Sequence, residues 1–294
     1  MQTRPFGRSG IVVPVLGFGA MQIGDPALPE SDAARLLNLA LDLGLALIDT
    51  ARSYGLSEAR IGRHVAHRRD EYVLSTKVGY GVEGVQDWTY DCILAGVDQA
   101  RDRLRTDVID IVHLHSCGLE TLRAGAVTQA LARCVEQGKV RVAAYSGDNE
   151  PLRDAIASGD FGSVQASVNI CDQQGLAGLQ DARWRGLGTV GKRPLAGRPW
   201  ACGLPPSDPV HAEYHRRFAV LRGAFGGEPG DWDSLALRFA AYAPGVDCVI
   251  VGGTNPRHLE RNAAVVASGP PEQGLRAACR ERFAAAESEW RGMV

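Results

Sequence analysis

The chain has 294 residues, 45% of them hydrophobic and 22% charged, with a formal net charge of −2. That is enough chain for one α/β barrel or two small domains, and the near-neutral balance gives no electrostatic reason to expect nucleic acid or an anionic membrane as a partner. Seven scattered cysteines without a Cys-x-x-Cys pair, no apolar export segment at the start, and no apolar run near the ~20 residues of a membrane span point to a soluble cytoplasmic protein with reduced thiols.

Residues 3–6 and 11–14 flank the turn-rich Gly7-Arg8-Ser9-Gly10, which predicts an opening hairpin able to plug the bottom of a barrel. A first barrel strand over 15–19 follows, and its glycines let a ligand approach the backbone at Gly19, with Ala20 and Met21 at the mouth. Leu36, Leu37, Leu39, Ala40 and Leu43 recur at helical spacing, so a helix capped by Ser31 covers 33–44. The apolar run 45–48 is a second strand delivering Asp49, and Tyr54 follows in the loop before a helix capped by Ser57. A third strand, 72–76, ends in Lys77. Thr89 caps a helix running to 105, and a fourth strand, 108–114, ends in His115.

His113, His115 and Cys117 are spaced by two, as metal ligands on one strand face would be. No fourth ligand is evident and residues 116–118 read as loop, so His115 is better read as a neutral hydrogen-bonding group at a strand exit and His113 as a core or rim residue; no metal is expected. A helix over 122–137 ends at Gly138, and a fifth strand, 140–145, exits into Ser146-Gly147-Asp148-Asn149. The sixth strand covers 163–169 and carries Gln165. The seventh covers 188–195, where Lys192 and Arg193 beside Pro194 and Leu195 suit a pyrophosphate.

Residues 196–230 are rich in Pro and Gly and contain Trp200, which predicts a loop excursion over the barrel mouth with a short helix near 212–221. Ser234 caps a helix through 242, and the eighth strand is 248–251. It opens into Gly252-Gly253-Thr254-Asn255, whose amides lie ahead of a helix carrying Arg257, His258, Arg261 and Asn262; that combination is an anion site. A last helix, 272–291, covers the outside. Eight strands alternating with helices predict one (β/α)8 TIM barrel with an N-terminal β-hairpin, spanning 1–294 as a single domain.

Asp49, Tyr54, Lys77 and His115 therefore stand at three successive strand ends. A carboxylate, a phenol, an ammonium and an imidazole brought together this way can deliver a proton: a neighbouring ammonium favours the phenolate over the phenol, whose reference pKa is about 10.

Residues 48–62 (IDTARSYGLSEARIG) resemble the second-strand signature of the aldo-keto reductase family, and 74–77 and 109–115 resemble its next two. The resemblance runs from residues 4–7 to Asn262. It implies that Asp49, Tyr54, Lys77 and His115 are the catalytic set. It also implies NAD(P)H-dependent reduction of an aldehyde or ketone, or the reverse oxidation, with the proton coming from Tyr54. The family's carboxamide-binding Ser-Asn pair falls on Ser146 and Gly147, so Asp148 or Asn149 is expected to replace the missing Asn beside Gln165. Lys192 stands in place of the family's ring-stacking Tyr. Gly252 and His258 replace a Lys and an Arg that hold a 2′-phosphate in many relatives, leaving Arg257 and Arg261; NADP(H) is favoured over NAD(H).

Met21, Trp88, Ser116, Cys117 and Trp200 are candidate walls of the substrate pocket around Tyr54 and His115, a partly aromatic lining suited to a hydrophobic carbonyl compound. Two other classes stay open on sequence alone: a cofactor-binding sensor with little turnover, and a metal-dependent barrel hydrolase. Intact catalytic positions argue against the sensor.

Overall fold

The structure is a computed structural model that describes residues 1–222, 230–286 and 290–293. Strands β1 (Thr3–Pro5) and β2 (Val12–Pro14) pair antiparallel, with Thr3 opposite Pro14. Their turn presents Phe6, wholly buried among Ile11, Val13, Leu47, Ile111, Val142, Ala144, Val190 and Cys248. This apolar set closes the bottom of the barrel, and Gly188 makes room for it, since a Cβ there would sit 2.4 Å from the Phe6 ring.

The barrel proper begins with β3 (Leu16–Gly19), which leads through α1 (Glu30–Asp42) to β4 (Leu47–Asp49) and through α2 (Ser57–His64) to β5 (Val73–Val78). Next come α3 (Tyr90–Leu104), β6 (Ile109–His115), α4 (Leu119–Ala124), α5 (Ala126–Glu136) and β7 (Val140–Ser146). The chain continues with α6 (Asn149–Ser158), β8 (Ser163–Ser167), α7 (Leu176–Trp184) and β9 (Gly188–Lys192). Helices α8 (Pro209–Arg222) and α9 (Trp232–Ala241) precede β10 (Cys248–Val251), and α10 (Pro256–Ala267) and α11 (Gln273–Ala286) complete it. Strands β3 to β10 form a closed parallel barrel in which β10 pairs with β3. Among the described residues no helix is long and apolar enough to cross a membrane.

Strand alternation makes the barrel interior two-layered. On β4, β6 and β7 the inward positions run from apolar Leu47, Ile111 and Val142 at the bottom to polar Asp49, His113, His115 and Ser146 at the top. The register then sets neighbours: Asp49 lies opposite Ser75, Lys77 opposite His113, and Ser146 opposite Gln165. The outward residues Ile48, Leu74, Val112, Leu114 and Tyr145 pack against the helical shell.

Several element ends differ from those the sequence pattern predicts. Thr89 does cap α3, accepting from the Cys92 amide. Ser31 caps nothing, because α1 starts after Pro29, and Ser57 bonds Thr50 and the Ala20 carbonyl instead of its own helix. Asp231, not Ser234, caps α9, accepting from the Ser234 amide. The expected helix over 122–137 is broken at Gly125, whose φ of +81° ends α4 and starts α5. Lys77 is followed by Val78 within β5 and is not the strand's last residue. Part of the predicted 196–230 excursion and of the last helix falls outside the described residues.

Candidate active site

The polar upper layer opens into a cavity of about 470 Å³ whose lining includes Gly19, Met21, Asp49, Tyr54, Lys77, His115, Ser146 and Gln165. At its floor Lys77 Nζ donates to Asp49 Oδ2 at 2.5 Å and to the Thr50 carbonyl at 2.8 Å. Burial works against the charge of each partner, but their attraction prevails: Lys77 is raised above the usual lysine value, helped by Tyr54, and Asp49 is held below the usual carboxylate value. Asp49 Oδ1 further accepts from Ser75 Oγ at 2.8 Å and Gln165 Nε2 at 3.2 Å, so both oxygens are engaged.

Tyr54 sits above this pair, with Lys77 Nζ 5.0 Å from its ring centroid. Its ring meets His115 edge-on, centroids 5.9 Å apart at 86°. Burial, with Lys77 and Lys192 adding to it, pushes the His115 pKa down to about 3, so the imidazole is neutral. His113 is buried below it, Nε2 at 3.1 Å from Ser75 Oγ, and Cys117 is sunk in the outer core; neither joins His115 as a ligand set.

Ser146 Oγ donates to Gln165 Oε1 at 2.9 Å, and both residues line the cavity. One N–H of Gln165 is spent on Asp49, which leaves the second N–H and the Ser146 oxygen lone pairs for a ligand carboxamide. Gly147 carries no replacement for the family's Asn because Tyr145 fills that place: a Cβ at Gly147 would stand 2.4 Å from the Tyr145 hydroxyl, which donates to the Cys117 carbonyl. Asp148 and Asn149 do not step in. Asp148 is buried, pairing with Lys192 Nζ at 3.1 Å and accepting from the Ser167 amide. Asn149 clamps the backbone of Gly292.

Arg193 is likewise turned from the predicted pyrophosphate grip, donating to the Met293 carbonyl at 2.7 Å, although Lys192, Arg193, Pro194 and Leu195 all border the cavity. Gly252 lines it too, and its lack of a side chain is enforced: a Cβ would lie 2.2 Å from Gln22 Oε1 and 2.4 Å from the Gly19 carbonyl. Beyond it a side chain at Gly253 would meet nothing within 4 Å, and Asn255 caps α10 by accepting from the Arg257 amide. Thr254, His258 and Asn262 lie farther along that loop and helix, outside the cavity lining. Arg261 donates to both oxygens of Asp231, at 3.0 and 2.9 Å, while Arg257 is exposed and makes no ion pair among the described residues.

Of the predicted pocket walls, Met21 and Ser116 line the cavity and three residues do not. Trp88 packs behind Tyr80, Cys117 is in the core, and Trp200 stacks on Trp232 with its Nε1 bonded to Asp233 at 2.8 Å. In their place the wall has Gln22, Arg198 and His211, more polar than expected. His211 comes from α8 and reaches the cavity across Gly197, where a Cβ would sit 2.6 Å from its ring. No periodicity in the sequence signals that approach.

A closed parallel barrel whose upper layer joins a buried ammonium–carboxylate pair to a phenol and a neutral imidazole defines a barrel enzyme equipped for acid–base chemistry. Residues 15–273 match the Aldo/keto reductase family, and the chain belongs to it. It is similar to L-galactose dehydrogenase from Arabidopsis thaliana, 26% identical with 90% of this chain and 88% of that one covered. D-threo-aldose 1-dehydrogenase from a Pseudomonas species is also 26% identical, with 88% and 91% covered. The holo structure of an aldo-keto reductase from Bacillus halodurans shares the fold with a TM-score of 0.84 at 24% identity, covering 96% of each chain. The protein is an oxidoreductase that interconverts carbonyl and alcohol groups with a nicotinamide cofactor.

Proposed function

We propose that the protein reduces the carbonyl of a small, hydroxylated aldehyde or ketone, or oxidises the matching alcohol, with Tyr54 as the proton donor and NADP(H) favoured over NAD(H). The observation that carries this reading is the buried Lys77–Asp49 pair beneath Tyr54, with neutral His115 facing the same cavity. The nicotinamide cofactor, when bound, supplies or accepts the hydride. Tyr54 gives its hydroxyl proton to the carbonyl oxygen, and Lys77 stabilises the phenolate that is left. Asp49 keeps Lys77 charged and in place. His115 donates a hydrogen bond to the same oxygen, which polarises the carbonyl and orients it. Ser146 and Gln165 would hold the nicotinamide carboxamide, and the amides around Gly253 and the exposed Arg257 would meet the phosphate end.

Gln22 and His211 on that wall suit hydroxylated substrates better than the hydrophobic carbonyl expected from Trp88 and Trp200, the Arg198 guanidinium being held by Asp233. The two sequence relatives, named for dehydrogenation of L-galactose and of a D-threo-aldose, support that class. A single domain accounts for the whole site, since one closed barrel supplies every residue of it, and the seven free cysteines support a reducing, cytoplasmic setting.

The test is a panel of aldoses and simple aldehydes followed by nicotinamide absorbance, with Tyr54→Phe alongside. Turnover on aldoses that falls by two to four powers of ten in the variant, at cofactor affinity within a few-fold, is the expected result. A variant that keeps most of its kcat would show that the proton comes from elsewhere.

A further inference from the structure

Tyr80 has no part in the machinery described so far, yet its hydroxyl meets Nδ1 of His115 at 2.9 Å. The two rings stack, centroids 5.5 Å apart with 22° between planes. Trp88 leans on the far side of Tyr80 at 5.7 Å and is held close by Gly79, where a Cβ would stand 2.2 Å from the indole. The phenol is therefore placed by packing on both sides, and among the described residues its hydroxyl has one other hydrogen-bond partner, Ser53 Oγ at 3.3 Å.

A neutral imidazole has one N–H and one bare nitrogen, and the partner of one ring nitrogen decides the state of the other. If the Tyr80 hydroxyl donates to Nδ1, the ring proton is on Nε2, the nitrogen left for a ligand in the cavity. If the hydroxyl instead donates to Ser53 and accepts from Nδ1–H, Nε2 is bare and repels a carbonyl oxygen. Both arrangements use the 2.9 Å contact with Nδ1 and differ in where the Tyr80 proton goes: to the imidazole nitrogen at 2.9 Å, or to Ser53 Oγ at 3.3 Å, which is long for an O–H···O bond, and exposed Ser53 can turn to water without loss.

We propose that Tyr80 is a positioning residue whose hydroxyl donates to His115 Nδ1 and so fixes the Nε2–H tautomer that hydrogen-bonds the substrate oxygen. This rests on the reading of His115 as that donor. Tyr80 lies three residues beyond Lys77 at the exit of β5, on the loop that faces His115 across the barrel mouth. The same strand thus supplies the ammonium that serves Tyr54 and the loop that serves the imidazole.

Tyr80→Phe keeps the ring stack and removes only the hydroxyl. In protein labelled with nitrogen-15 histidine, the His115 resonances should show Nε2–H in the wild type and a loss of that preference in the variant. Turnover should fall about tenfold with cofactor affinity unchanged, and the acid limb of kcat/KM should move to higher pH, because a hydrogen bond favouring the neutral ring is gone. Ser53→Ala, which removes the competing acceptor, should leave both tautomer and kcat as they were. An Nδ1–H tautomer in the wild type, or an unchanged tautomer in Tyr80→Phe, overturns the proposal whatever happens to activity. A tautomer that shifts without any change in kcat upholds the assignment of Tyr80 and removes His115 from the proton-delivery scheme instead.

Discussion

Lys77 Nζ and Asp49 Oδ2 are 2.5 Å apart, and each side chain is only 2% exposed. Two ions taken out of water this completely are tolerated because each meets the other and further hydrogen bonds besides, so removing one strands its partner. Lys77→Met should cost about 3–5 kcal/mol in urea unfolding at pH 7, beyond its effect on turnover. The sign with pH follows from both shifts. Asp49 is lowered, so its contribution is present above about pH 4 and is lost as pH falls through the folded value; Lys77 is raised, so its contribution is present below about pH 10 and is lost as pH rises through its own. The wild type should therefore lose its advantage over Lys77→Met at both extremes. An unfolding midpoint equal to wild type at pH 7 would mean that the pair adds nothing.

Asp172 behaves in the opposite sense. Its Oδ2 accepts from the Met293 amide at 2.9 Å and from Tyr214 at 3.2 Å, but Oδ1 is buried with no hydrogen-bond partner among the described residues, and burial raises the pKa to about 6. A carboxyl with a raised folded pKa stabilises fully below its unfolded value, and the benefit is lost as pH rises through the folded one. Between about pH 4 and pH 6 this group should remove roughly 3 kcal/mol of stability, at 1.36 kcal/mol per unit. Asp172→Asn cannot titrate and should flatten that part of the stability curve. Parallel curves for the two proteins, measured by denaturant unfolding at half-unit pH steps, would rule the effect out.

Strand-end chemistry was the legible part of the site. Asp49, Lys77 and His115 could be placed because each follows an apolar run, and period-2 alternation then fixes which face they share. What sequence could not supply is which polar side chains satisfy one another. Ser146 and Gln165 pair across adjacent strands, Asp148 is spent on Lys192, and Arg193 is spent on Met293, a residue 100 positions away. Ser57 is another case, bonding Thr50 and the Ala20 carbonyl instead of capping its own helix. A large ring can line a pocket or pack against its neighbours, and Trp88 against Tyr80 and Trp200 against Trp232 do the second. Tyr80 left no signal beyond its spacing from Lys77.

The absence of the family's Asn at Gly147 is tied to Tyr145. Its hydroxyl and ring carbons lie 2.4 to 2.8 Å from where a Cβ would be, and the ring is buried against Phe161. Gly147→Asn should therefore destabilise by about 1–3 kcal/mol through overpacking and should not tighten cofactor binding. Combined with Tyr145→Ala, which opens the space, its cost should shrink, giving a favourable coupling in a double-mutant cycle. Simple additivity in thermal unfolding would show that the two positions are independent.

The choice between dinucleotides is expected to turn on one arginine. Arg257 and Arg261 are four apart on α10, but Arg261 already donates to both oxygens of Asp231 and lies 3.4 Å from Asp233, which also receives Arg198 and Trp200. To engage a 2′-phosphate it would have to leave two carboxylates. Arg257 is exposed and makes no ion pair among the described residues, and it follows Asn255 at the start of the helix, where the backbone dipole also favours an anion. The lysine that serves many relatives cannot be accommodated at Gly252, hemmed in by Gln22 and the Gly19 carbonyl. NADPH should therefore bind more tightly than NADH by about tenfold, or 1.4 kcal/mol, a modest margin for a single exposed cation. Arg257→Ala should erase most of that margin by weakening NADPH alone. Arg261→Ala should instead weaken both dinucleotides to a similar extent, by loosening the contact between α10 and the start of α9. Titration of tryptophan fluorescence at low salt separates these outcomes, and an NADPH preference untouched by Arg257→Ala but abolished by Arg261→Ala would reverse the assignment.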